Sequence, residues 1–138
     1  MKVIIINGPN LNLLGKREPS IYGNVSFDDY LKKLRQQFTH LKIEYFQSNI
    51  EGELINKLHD TGFTYDMIIL NAGGYSHTSI SLADAIAAIK TPVIEVHISN
   101  IYARENFRRK SLLSKNCKAI ICGLGLKSYQ AALSTMND

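Results

Sequence analysis

The chain has 138 residues, 45% of them hydrophobic and 20% charged, with a net charge of +4. That length and balance fit one domain with a single buried core, and exclude a disordered, fibrous or strongly charged chain. The positive excess is mild and scattered, so it outlines no nucleic-acid face, and no apolar run approaches the ~20 residues that span a bilayer.

The first apolar run, Val3–Ile6, begins almost at once, with no charged-then-apolar leader before it, so a cytoplasmic location is expected. It reads as a strand. A long stretch, "NGPNLNLLGKREPSIYG" (7–23), follows it. Phe27, Tyr30, Leu31, Leu34 and Phe38 fall on one face of a first helix, and Ser26 with Asp29 can cap its start. Ile43–Phe46 is a second strand. Leu54, Ile55 and Leu58 mark a second helix, with Gly62 at its stop. Met67–Leu70 is a third strand, and Leu82, Ile86 and Ile89 mark an alanine-rich helix that ends before Pro92. Val93–Ile98 is a fourth strand, and Phe107 with Leu112 suggests a fourth helix. Ala119–Cys122 is a fifth strand, and Tyr129, Ala132, Leu133 and Met136 line the last helix. Cys117 and Cys122 flank that strand; two cysteines at this spacing suggest no zinc site and read as reduced thiols in or near the core.

Strands and helices thus alternate. Nearly continuous Ile/Val runs are what strands buried on both faces require. The expectation is a flavodoxin-like α/β three-layer sandwich whose five-stranded parallel sheet has the order 2-1-3-4-5. Residues 1–138 form a single domain in this reading, without linker, repeat or low-complexity tract.

Open parallel sheets bind ligands beyond the carboxyl ends of their strands. Four of the five exits carry unusual polar residues: Asn7 and Asn10 after strand one, Asn71 and His77 after strand three, Glu95, His97 and Ser99 on and after strand four, and "GLG" (123–125) after strand five. Strand two contributes only "QSNIEGE" (47–53). Singly, each has a plain structural explanation: a histidine at a strand end is often a hydrogen-bonder, and asparagines stabilise turns. Together they converge on one edge, with Arg17 and Tyr22 on the loop above it.

Local arguments sharpen the picture. Glu95 and His97 are two apart and share one side of their strand. A carboxylate buried there needs a partner, so Glu95 can orient His97 and raise its basicity, unless it binds backbone or solvent. Ser99-Asn100 can cap the fourth helix and offer N–H groups to an anion. Arg104 and Arg108, one helical turn apart, could close on the same carboxylate or stay on the surface. The long first loop has the character of a lid. It lacks GxGxxG and the P-loop pattern; no acidic cluster follows strand one, no GxSxG elbow occurs, and no lysine sits at an interior strand end for an imine. The remaining inventory suits proton transfer on a small polyol or carboxylate. Tyrosine is a poor base at its usual pKa of about 10, and a nearby arginine would favour the tyrosinate; lowering the pKa by ~2 units needs ~3 kcal/mol. A Tyr–Arg pair facing a Glu-oriented histidine supplies a base and an acid on separate groups, and asparagine turns can hold an enolate oxygen.

"NGPNLNLLGKREPSIYG", "LNAGGYSHTS" (70–79), "EVHISNIYARENFRR" (95–109) and "GLGLKSYQAAL" (123–133) closely resemble the type II 3-dehydroquinate dehydratases over nearly the whole chain. The resemblance implies a shikimate-pathway hydro-lyase that converts 3-dehydroquinate to 3-dehydroshikimate by anti elimination through an enolate, with no metal, cofactor or Schiff base. It implies that Tyr22 is the base, that Arg17 polarises Tyr22, and that Asn10 positions a water or the enolate oxygen. It makes His97, held by Glu95, the acid for the departing hydroxyl. Asn71, His77 and Asp84 would bind ring hydroxyls, with Asp84 acting in its own or a neighbouring subunit's site. Ile98 and Ser99 would hold the carboxylate, and Arg108 a ring hydroxyl or that carboxylate. The family's assembly, trimers packed into a homododecamer, is implied likewise. Another enzyme of the same fold, or a non-enzymatic binding module, are the alternatives; the module would tolerate loss of Tyr22 or Arg17.

Overall fold

The structure is a computed structural model that describes residues 1–16 and 24–136. Arg17 and Tyr22 lie outside the described residues.

Five parallel strands form one sheet in the order β2-β1-β3-β4-β5. They are β1 (Lys2–Asn7), β2 (Lys42–Gln47), β3 (Met67–Asn71), β4 (Val93–His97) and β5 (Ala119–Cys122). Register brings Asn7 level with Gln47 on one side and with Asn71 on the other, and His97 level with Cys122. The strand ends named by the sequence therefore lie along one edge.

Alternation along the strands divides the core in two. Val3, Ile5, Met67, Ile69, Ile94 and Val96 pack under α1 (Phe27–Gln37) and α4 (Lys127–Ser134). Ile4, Ile6, Ile68, Leu70 and Val93 pack under α2 (Glu51–Thr61) and α3 (Ile80–Ala88). This is the expected three-layer sandwich, with buried aliphatic runs in the central layer. The Ser26 hydroxyl accepts from the Asp29 N–H at 3.2 Å and caps α1 as expected.

Gly62 ends α2 as expected, with φ −74°. Glycine is needed because an added Cβ would meet the Ile89 side chain at 2.4 Å. The fourth helix is not an α-helix: residues 101–116 form three short 3₁₀ turns, Ile101–Ala103, Asn106–Arg108 and Ser114–Asn116. Its backbone groups are taken elsewhere. The Leu112 N–H reaches the Ser76 carbonyl at 2.8 Å and the Leu113 N–H reaches the Ser111 hydroxyl at 3.1 Å. Phe107, one of the two apolar markers, is 64% exposed, so no apolar stripe held a helix to the sheet. Both cysteines are half-buried thiols, and burial pushes Cys117 up to about 12.

Candidate active site

The loops beyond β1, β3 and β4 enclose a cleft lined by Asn10, Asn71, His77, His97, Ser99 and Arg108, with Ile98 also in its wall. The strands place these groups by parity. On β4, Ile94 and Val96 point into the α1/α4 core, so Glu95 and His97 point to the other face. There the coverage comes from 3₁₀ turns rather than a helix, which gives a carboxylate and an imidazole polar neighbours.

Glu95 is fully buried and His97 is 5% exposed. The Glu95 carboxylate is bonded by one oxygen to His97 Nε2, and by the other to the Ser114 hydroxyl at 2.6 Å. Burial pushes the carboxyl upward, but the hydrogen bonds from His97, Ser114 and Ser111 outweigh it, and Glu95 lies below the ordinary carboxylate range. An ionised carboxylate can only accept, so Nε2 of His97 carries a hydrogen and Nδ1 is left for the cleft.

His77 stacks on His97, with ring centroids 6.0 Å apart. Its Nδ1 lies 2.9 Å from the Lys110 carbonyl. A carbonyl cannot donate, so Nδ1 holds the hydrogen and Nε2 remains an acceptor when the ring is neutral. Burial, with the positive charges of His97 and Arg108, pulls His77 below its ordinary value despite the Lys110 carbonyl and Glu95, and favours that neutral ring.

Asn7 and Asn71 sit side by side on β1 and β3. The Tyr129 hydroxyl donates to Asn7 Oδ1 and accepts from Asn71 Nδ2, each at 2.8 Å. Asn71 Oδ1 accepts from the Gly73 N–H at 3.2 Å. These bonds fix both carboxamides at the point where the two loops separate. Gly8 lets them come together, since an added Cβ would lie 2.6 Å from the Ala72 carbonyl oxygen.

Arg104 donates to the Ser99 hydroxyl at 3.4 Å, and Arg108 is held by Glu105 at 2.6 Å and lies over the Phe107 ring. Both arginines line the cleft, but Arg104 follows the first 3₁₀ turn and Arg108 ends the second, so they do not share one helical face. Asn100 caps its turn by accepting from the Tyr102 N–H at 3.1 Å, so the expected helix terminus becomes a short turn. Asp84 is exposed on α3 and does not line this cleft. Among the described residues, no three His, Cys, Asp or Glu side chains could hold a metal ion, and no helix is long and apolar enough to cross a membrane.

Two residues that matter escaped the sequence. Tyr129 read as core on an apolar helix face, although its hydroxyl had to find a buried partner. Ser114 carried no local signal, because it reaches Glu95 across 19 residues of irregular chain.

The family model described as "Dehydroquinase class II" matches residues 1–137. A 3-dehydroquinate dehydratase of Caldicellulosiruptor bescii is 51% identical over 140 residues, covering 99% of this chain and 97% of its own. One from an Exiguobacterium species is 50% identical, covering 99% and 94%. The crystal structure of the type II dehydroquinase from Butyrivibrio crossotus superposes with a TM-score of 0.95 at 40% identity, over 100% of this chain and 98% of that one.

Proposed function

The chain belongs to the class II dehydroquinase family, and we propose that it is a 3-dehydroquinate dehydratase of the shikimate pathway, one catalytic domain that removes water through an enolate to give 3-dehydroshikimate. Tyr22, kept as tyrosinate by Arg17, takes the proton beside the ketone. The C–H electron pair forms a carbon–carbon double bond, the carbonyl π pair moves to the ketone oxygen, and Asn10, directly or through a water, stabilises the enolate. The enolate then re-forms the carbonyl and expels the hydroxyl from the neighbouring carbon. His97 protonates that hydroxyl as it leaves, so water departs, in the anti sense that the family resemblance implies.

The observation that carries this reading is the buried Glu95–His97 pair beside the cleft. Glu95 occupies one ring nitrogen, so the proton leaves from the other, and the Ser114 hydroxyl keeps Glu95 from following it. Asn71 and the bare Nε2 of His77 bind ring hydroxyls. The Ile98 N–H and the Ser99 hydroxyl hold the carboxylate, and Arg108 adds charge to a ring hydroxyl or to that carboxylate. Asp84 is exposed outside its own cleft, which favours a role in the site of a neighbouring subunit. The working assembly would be a cytoplasmic homododecamer of trimers, with no nucleic-acid or membrane partner and no cofactor.

An ultraviolet assay with 3-dehydroquinate tests the reading. An enone band should grow, insensitive to chelator and to borohydride added with substrate. Tyr22→Phe and Arg17→Ala should each slow it by several orders of magnitude in folded protein. A folded chain that yields no band would end the proposal.

A further inference from the structure

The exit from β2 looked empty of chemistry in the sequence, yet it touches the loop that carries Asn10. Asn10 has φ 71° and ψ −5°, the one positive-φ non-glycine residue among the described residues. Asparagine tolerates this left-handed conformation better than most residues, but it still needs support from its surroundings. The support comes from Asn49. Its side-chain oxygen accepts from the Asn10 backbone N–H at 3.0 Å. The same oxygen accepts from Gln47 Nε2 at 3.2 Å, and Gln47 Nε2 also lies 3.1 Å from the Gly8 carbonyl oxygen. The Tyr75 hydroxyl donates to the Asn49 carbonyl at 3.3 Å. Segments following β1, β2 and β3 therefore meet at Asn49, an exposed residue.

We propose that Asn49, steadied by Gln47, is a positioning residue for the reaction: it holds the Asn10 backbone in its left-handed turn and so aims the Asn10 carboxamide into the cleft. The inference rests on the reading of Asn10 given above. Without Asn49 the Asn10 N–H turns to water, and the peptide can relax toward a commoner conformation. The carboxamide then leaves the place where the enolate oxygen forms. Such a displacement costs rate more than binding, because it matters most where charge develops.

The test is steady-state kinetics on 3-dehydroquinate with Asn49→Ala, Asn49→Asp, Asn10→Ala and the Asn10→Ala/Asn49→Ala double variant of the full chain. Asn49→Ala should lower kcat roughly tenfold and leave KM within about twofold. Asn49→Asp keeps the acceptor oxygen that takes the bonds from Asn10 and Gln47, and should recover most of the loss. In the Asn10→Ala background the Asn49→Ala change should cost nothing further, since both act through one group. Wild-type kcat in Asn49→Ala, or an undiminished penalty in the double variant, would overturn the inference while leaving the role of Asn10 intact. Wild-type turnover in Asn10→Ala would instead remove Asn10 from the mechanism, and the inference with it.

Discussion

Two buried polar clusters lie on opposite faces of the sheet, and they differ in kind. On the α1/α4 face, Asn7, Asn71 and Tyr129 form a neutral chain of bonds, and burial pushes the Tyr129 hydroxyl well above its ordinary range. On the other face, Glu95, His97 and Ser114 hold a buried charge, kept ionised by the donors around it. The first cluster fixes where two loops part, and only Asn71, which lines the cleft, reaches a ligand from it. The second leaves one imidazole nitrogen over, at the cleft. The contrast separates a network that shapes a site from a network that reacts in it, though both use polar groups in a dry core.

Replacing the imidazole is the sharpest way to break that contrast. His97→Ala should lower kcat by roughly 10²- to 10⁴-fold, the usual contribution of a positioned proton donor. The melting temperature should change far less than the rate, because Glu95 keeps its Ser114 bond. Unaltered kcat would move His97 into the shaping class. Glu95→Gln comes next, at roughly 10²-fold. An amide can donate to the ring nitrogen that the carboxylate now accepts from, and would favour the opposite tautomer. If Glu95→Gln melts early but turns over normally, the carboxylate is structural.

Tyr129→Phe probes the other face, and its effect should fall on stability. The change strips one partner each from Asn7 Oδ1 and Asn71 Nδ2. The expected loss is about 2 kcal/mol, read as a melting point lower by roughly 5–10 °C. Turnover should fall less than tenfold. A larger fall in turnover than in stability would show that the neutral network tunes substrate binding as well as loop geometry.

Legibility followed periodicity. The aliphatic runs and the face of α1 announced themselves, since burial on two faces or on one stripe leaves a pattern in the chain. Glu95 and His97 were legible as a pair because strand parity is local. Residues 101–116 were not: two apolar positions suggested a helix, but the Leu112 N–H is committed to the Ser76 carbonyl, a partner no local pattern reveals. The exit of β2 was underestimated for the same reason. Asn49 and Gln47 act on a residue some forty positions away in sequence, through single bonds that leave no period.

The smallest effect is also the one that tells the clusters apart most directly, the dependence of stability on pH. Glu95 lies below its unfolded value of about 4.5. Its contribution is therefore present above that pH and is lost as pH falls through the folded value, where the native carboxylate must take up a proton. Tyr129 is raised above its unfolded value of 10.0. Its contribution is full below that pH and is lost as pH climbs past it, because the unfolded phenol ionises first. Melting curves across pH should therefore decline at both ends. Glu95→Gln should flatten part of the acid decline, the rest belonging to His77 and Glu44, which are also lowered, and should spare the alkaline one. Tyr129→Phe should flatten part of the alkaline decline, the rest shared by Tyr45, Tyr30, Tyr65 and Cys117, which are also raised. If either variant flattened the opposite end, the two faces would be coupled through β1, β3 and β4 rather than independent. The separation of shaping from reacting would then have to be drawn within one continuous network.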